Sequence, residues 1–147
     1  MYHPRLLKLA INLGILLSAV CGLNAQSINP RIGGLGIGSK YSAIVKKLGK
    51  PLSDKRGGEV PCGDTMRSLF YRGLILRLEV GGTNPLGLYK VEVTSREWSI
   101  SGLRIGARRS DVVKKFGSGP YFIDDGYARF RYKGNRLIKM EWEFNFC

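Results

Sequence analysis

Gly34-Leu-Gly-Ile-Gly-Ser-Lys-Tyr-Ser-Ala-Ile-Val-Lys-Lys-Leu-Gly-Lys-Pro51 decides how this chain is read, because it returns, edited, as Gly102-Leu-Arg-Ile-Gly-Ala-Arg-Arg-Ser-Asp-Val-Val-Lys-Lys-Phe-Gly-Ser-Gly119 followed by Pro120. Over the sixteen positions from Gly34 to Gly49 against Gly102 to Gly117, nine are identical, and Ile44/Val112 and Leu48/Phe116 exchange one apolar residue for another. A motif that recurs once implies two copies of one supersecondary unit. Within each copy Tyr41, Ile44, Val45 and Leu48, or Val112, Val113 and Phe116, fall at spacings of three and four, which places them on one side of a short helix. Gly49 and Gly117 end it by accepting the left-handed conformation, and Pro51 and Pro120 keep it from resuming. Lys46-Lys47 and Lys114-Lys115 complement the dipole in the last turn, and Asp111 does so in the first turn of copy two. Ser39 is a candidate cap in copy one, where copy two has Ala107.

Downstream of each helix, apolar and polar residues alternate with period two. In copy one Leu74, Leu76, Leu78 and Val80 share one phase and Ile75, Arg77 and Glu79 the other. In copy two Ala128, Phe130 and Tyr132 oppose Tyr127, Arg129, Arg131 and Lys133. Leu76–Gly82 slides onto Ala128–Gly134 in phase, and Leu88–Val93 onto Leu137–Trp142. Turn signals at Arg72-Gly73, Asp125-Gly126, Gly81–Gly87 and Lys133–Arg136 divide the segments. Each copy reads as helix, strand, strand, strand, and the expected class is α+β: two tandem α-β-β-β repeats forming a six-stranded antiparallel sheet with both short helices on one face. Trp142 shares the inward phase with Met140 and Ile138, and Trp98, in the connection, is either core or a contact residue.

The amino terminus reads differently. Arg5 and Lys8 precede an apolar run from Leu9 to Val20, and Leu23-Asn-Ala25 offers a small residue before Gln26, the pattern of an export signal over residues 1–25. The run is shorter than the ~20 residues that span a bilayer. A retained anchor is one alternative, and Leu17-Ser-Ala-Val-Cys21, which loosely looks like a lipid-attachment box, is another. Residues 26–33 then form a linker, 34–99 the first repeat and 100–147 the second, together one compact domain. Export implies a periplasmic or secreted protein. Setting aside the first 25 residues leaves 22 Lys and Arg against 11 Asp and Glu. Cys62 and Cys147 remain, and in an oxidising compartment an even pair reads as a disulfide worth about 4 kcal/mol in the chain-entropy model, with two free thiols the alternative.

The frame Gly-aliphatic-x-Ile-Gly, a helix ending Val-Lys-Lys-Leu-Gly-Lys-Pro and a following meander resembles the β-lactamase-inhibitor-protein-like superfamily. That superfamily takes in the two-repeat inhibitors and the single-repeat outer-membrane assembly lipoproteins of the SmpA/OmlA (BamE) type. The resemblance spans residues 34–144 in topology and rests on fold-forming residues alone, so it implies a fold and a non-catalytic, protein-binding role of the inhibitor or assembly-factor kind, with no functional residue carried over.

Chemistry is sparse. The single histidine, His3, lies in the signal segment, which excludes histidine-based catalysis and histidine-bearing zinc sites from the remainder. Asp124 and Asp125 are neighbours that point to opposite faces of a strand and suit a turn. Gly33–Gly38 is glycine-rich, yet it lacks a preceding strand and a Gly-Lys-Ser/Thr, and it recurs at Gly102–Gly106 as a turn at the start of each repeat. No enzyme activity, cofactor, metal or small-molecule substrate is expected. Charge is the loud signal. Arg77, Glu79, Lys90 and Glu92, with Arg129, Arg131, Lys139, Glu141 and Glu143, share the polar phase and suit cross-strand ion pairs. The surplus in copy two, Arg129, Arg131, Lys133 and Arg136 with Tyr127 among them, makes a basic, aromatic patch. The candidate binding residues are therefore Arg77, Lys90, Tyr127, Arg129, Arg131, Lys133, Arg136 and Lys139. They suit a protein partner in the envelope or outside the cell, or alternatively anionic lipid, cell-wall polymer or nucleic acid.

Overall fold

The computed structural model describes residues 30–59, 65–83, 85–123 and 126–145, so Cys21, Cys62, Cys147, Asp124 and Asp125 lie outside the described residues. The fold is α+β. Helix α1 (Tyr41–Leu48) precedes strands β1 (Ser53–Glu59), β2 (Thr65–Tyr71), β3 (Leu74–Glu79) and β4 (Gly87–Val93). A two-residue hairpin, β5 (Ser99–Ile100) and β6 (Leu103–Arg104), leads to α2 (Arg109–Phe116) and to β7 (Tyr121–Ile123), β8 (Gly126–Lys133) and β9 (Arg136–Phe144). The main sheet is antiparallel, in the order β1-β2-β3-β4-β9-β8-β7, so the halves of the chain meet through their last strands.

The described sheet has seven strands where the alternation predicts six. The additional one is β1, whose Ser-Asp-Lys-Arg-Gly-Gly-Glu sequence carries no apolar phase and pairs only with β2. An edge strand needs no inward face, so hydrophobic periodicity does not mark it. The rest of the sheet follows the alternation. Leu69, Leu74, Leu76, Leu78, Leu88, Val91, Val93, Met140 and Trp142 are buried and form a core with Ile44 of α1 and Val112 and Phe116 of α2. One position breaks the phase. Ile138 is 45% exposed because the register shifts between Arg131 and Tyr132, which pairs Tyr132 with Leu137 and buries Leu137 instead.

Both helices start and stop alike. Gly38 N–H donates to Leu88 O and Leu88 N–H to Ser39 O (2.8 and 2.9 Å); Gly106 N–H donates to Leu137 O and Leu137 N–H to Ala107 O (2.7 and 2.9 Å). Each helix start is thus laced to the start of the strand that joins the two halves. Ser39 does not cap α1: its Oγ accepts from Gly36 N–H, and the N-cap residues are Lys40 and Arg108. In α2 the Asp111 carboxylate accepts from Arg108 N–H at 2.9 Å, which satisfies one orphan donor. Gly49 (φ 82, ψ −175) and Gly117 (φ 85, ψ −173) end the helices in a positive-φ extended conformation, more exclusive to glycine than the left-handed helical one expected.

The fold also begins earlier than the sequence suggests. Ile32, assigned above to a linker, is 1% exposed and bridges both Leu35 and Ile100. Leu35-Ile32-Ile100-Leu103 therefore makes a small seam between the halves, closed by Ser101 N–H donating to Arg31 O at 2.8 Å. Trp98 is half-buried against this core, edge-on to Tyr71, and its indole N–H donates to Arg72 O at 2.7 Å.

Candidate functional site

The sheet face turned away from the helices is polar, and pairing places its charges in a lattice. Arg77 lies opposite Lys90, Lys90 opposite Glu143 and Glu92 opposite Glu141. Lys90 reaches Glu143 at 2.9 Å and Glu141 at 3.3 Å, and Lys139 reaches Glu92 at 2.7 Å and Glu141 at 3.2 Å, while Arg77 reaches Glu92 at 3.6 Å. The Tyr127 hydroxyl donates to Glu143 as well. These side chains are largely sheltered, so the pairs form a network rather than isolated surface bridges. Burial works against the charged form of Glu141, but Lys139 and Lys90 outweigh it and hold the carboxyl below its ordinary range. Glu143 is likewise lowered, burial being outweighed by the Tyr127 hydroxyl and Lys90. The bond to Glu92 raises Lys139, and Glu143 and Glu141 raise Lys90 against its burial.

Of the eight candidate binding residues, Arg77, Lys90 and Lys139 are thus engaged in ion pairs and do not form a free patch. They make the cross-strand ion pairs that their shared phase suits. Tyr127 is tied to Glu143, with the Arg129 guanidinium stacked over its ring at 4.0 Å. The other four behave differently. Arg129, Arg131, Lys133 and Arg136 are exposed, and among the described residues none has an ion pair.

The structure brings two further cations to this group. Arg109 N–H donates to Asn135 O in the β8–β9 turn at 3.1 Å, Arg108 bridges Arg136, and Arg136 Nη1 donates to Gly106 O at 3.1 Å. The start of α2 is thereby clamped to the hairpin tip. The Arg109 guanidinium stacks on Tyr132 at 4.8 Å. Arg108, Arg109, Arg131, Lys133 and Arg136 therefore surround one tip, with Asp111 the neighbouring acid, already used by the helix start. Sequence reasoning passed over Arg108 and Arg109 because they read as the approach to a helix. Their number within the matching motif, two cations where copy one has Lys40-Tyr41, was the available signal.

Among the described residues there is no cluster of His, Cys, Asp and Glu fit to hold a metal, and no helix long and apolar enough to cross a membrane. No family model matches the chain, and no curated protein matches it. One solved structure is similar in fold: an extracellular protein containing a SCP domain from Bacillus anthracis, with a TM-score of 0.52, 13% identity and coverage of 74% of this chain. The chain spans 44% of the length of that structure, and the likeness is one of fold.

Proposed function

We propose that this chain is an exported, non-catalytic binding module that recognises an acidic surface on a protein partner through the cationic tip formed by the start of α2 and the β8–β9 turn. The observation that carries the reading is the gathering at this tip of Arg108, Arg131, Lys133 and Arg136, with Arg109 on the Tyr132 side, all exposed and without ion pairs among the described residues, beside a sheet face whose charges are already matched. Desolvating a paired lattice yields little, whereas unpaired arginines on a clamped hairpin meet carboxylates with less loss of freedom. Export is supported by the basic-then-apolar amino terminus, and the fold also occurs in an extracellular protein. A tandem of two related units is supported by the matched letters and the matched hydrogen bonds at the two helix starts, the first unit carrying β1 in addition.

A second reading has its own support. Lys46, Lys47, Lys114 and Lys115 are all exposed in the last turns of the two helices, which suits an anionic lipid or polymer surface rather than a single protein. Charge reversal separates the two. Arg131→Glu with Lys133→Glu and Arg136→Glu should abolish capture of an envelope protein and leave binding to phosphatidylglycerol vesicles intact. A Lys46, Lys47, Lys114, Lys115 to Gln variant that loses both activities, while the tip variant loses neither, overturns the tip as the site.

A further inference from the structure

A cleft of about 340 Å³ opens between the start of α1, β2–β3 and the loop leading into β4, on the first half of the chain and away from the β8–β9 tip. Tyr41, Val80 and Pro85 give its walls their apolar surface, with Leu78 buried behind them and Ser42 and Glu79 also in the lining. Its rim carries three cations, Lys40, Arg56 and Arg67. A volume of this size holds one side chain or a small acid.

Arg67 is held in place on three sides. Its Nε donates to Asp54 Oδ1 at 2.8 Å, its Nη2 to Asp54 Oδ2 at 2.7 Å, and its guanidinium lies 3.4 Å from the centre of the Tyr41 ring. Tyr41 in turn donates its hydroxyl to Asp54 Oδ2 at 3.1 Å. The Arg67 bond holds the Asp54 carboxyl below its ordinary range. The third guanidinium nitrogen of Arg67 has no hydrogen bond among the described residues. A fork fixed on one carboxylate and stacked on a ring has lost its flexibility beforehand, so little freedom remains to be lost when a second anion arrives.

Register supplies the independent observation. Arg56 stands directly opposite Arg67 across β1 and β2. Two arginines facing each other on neighbouring strands are unfavourable unless an anion lies between them. Asp54, two residues before Arg56 on the same face, pairs with Arg67, whereas among the described residues neither Arg56 nor Lys40 makes an ion pair. Lys40 Nζ meanwhile donates to Pro85 O, which ties the rim to the wall. Glu79, the carboxylate among the lining residues, is buried and accepts from Leu86 N–H at 2.6 Å.

We infer that this cleft binds a carboxylate carried on a branched apolar group, the carboxylate bridging Arg56 and Arg67 and the apolar group lying against Val80 and Pro85. Such a ligand is either a free acid or the last residue of a peptide chain, and the probes distinguish them. Amide resonances of Tyr41, Ser42 and Gly87 in the full chain would be followed during titration with N-acetyl-leucine, N-acetyl-leucinamide, and a hexapeptide ending in leucine with a free or an amidated carboxyl. Both carboxylates should shift these resonances with affinities at least tenfold above their amides, and a peptide tighter than N-acetyl-leucine identifies a chain end as the occupant. Arg56→Gln, an exposed change that leaves the Asp54–Arg67 pair in place, should weaken the carboxylates about tenfold, and Arg67→Gln should do so where it folds. The pair Arg131→Gln and Lys133→Gln should have no effect, which separates this site from the tip. Equal binding of acid and amide, no shift at millimolar probe, or an Arg56→Gln variant that binds as the parent does overturns the inference.

Discussion

Gly87 shows how much a single position carries. It has φ +89, and a Cβ there would lie 2.8 Å from the carbonyl oxygens of both Gly38 and Ser39. Those carbonyls belong to the stretch laced to Leu88, so neither they nor the strand can retreat without breaking Gly38 N–H to Leu88 O and Leu88 N–H to Ser39 O. Gly134, in the β8–β9 turn, also has a positive φ of 56°, but no atom lies within 4 Å of the added carbon. The two sites separate conformational strain from collision. Gly134→Ala should cost about 1 kcal/mol, the penalty of placing a side chain in that backbone region. Gly87→Ala should cost more than about 2 kcal/mol, because the collision adds to the same penalty. Urea unfolding of both variants at one pH measures the difference, and equal losses would show that the contact at Gly87 yields. The turn signals at Gly81–Gly87 and Lys133–Arg136 pointed to these turns, yet nothing in the letters told a crowded glycine from an open one, since crowding comes from a segment about fifty residues away.

At the scale of the element, the lattice across β3, β4, β9 and β8 sets how the sheet responds to pH. Glu141 and Glu143 titrate below their ordinary range when folded, so their contribution is complete above that range and is lost as pH falls through the folded values. Lys90 and Lys139 titrate above the ordinary lysine value, so theirs is complete below that value and is lost as pH rises through the folded values. Stability should therefore hold a plateau between about pH 5 and pH 10 and decline on both sides. Lys90→Met removes a cation shared by two sheltered carboxylates. Its destabilisation should be largest near neutrality and shrink as acid protonates Glu141 and Glu143, which denaturant midpoints from pH 3 to 8 would show. A loss independent of pH would mean that Lys90 acts through packing alone. The alternation of Arg77, Lys90, Lys139 and the glutamates was enough to expect ion pairing on this face, because period two fixes the face, but the partners depend on the junction of β4 with β9, which the letters do not specify. The alternation did not foresee β1, which buries nothing, or the outward turn of Ile138, which depends on a register shift opposite Arg131. Nor did it mark Arg108 and Arg109, which join Lys133 and Arg136 only because the hairpin tip folds back onto the start of α2.

The whole molecule is held as one body by two junctions of different kinds. One is the β4–β9 pairing, in which Val91 faces Trp142 and Val93 faces Met140 within the core. The other is the seam where Ile32 bridges Ile100, each 1% exposed. Ile32 precedes α1 and Ile100 precedes α2, so each half contributes its leading turn to the other. Neither junction closes a surface within one half, and each half alone would expose the apolar edge that the other covers. Unfolding should accordingly be a single transition in which tryptophan fluorescence, from Trp98 in the inter-half connection and Trp142 at the β4–β9 junction, and far-ultraviolet circular dichroism change together. Ile32→Ala and Ile100→Ala each remove a fully buried side chain and should each cost about 2 to 5 kcal/mol. Because the two residues face one another, the double variant should be less damaged than the sum of the singles, by about 0.5 kcal/mol or more. A strictly additive cycle would place the two isoleucines in separate cores. Two separated transitions in the single variants would mean that the halves are held together by β4 and β9 alone, with the leading turns serving only their own helices.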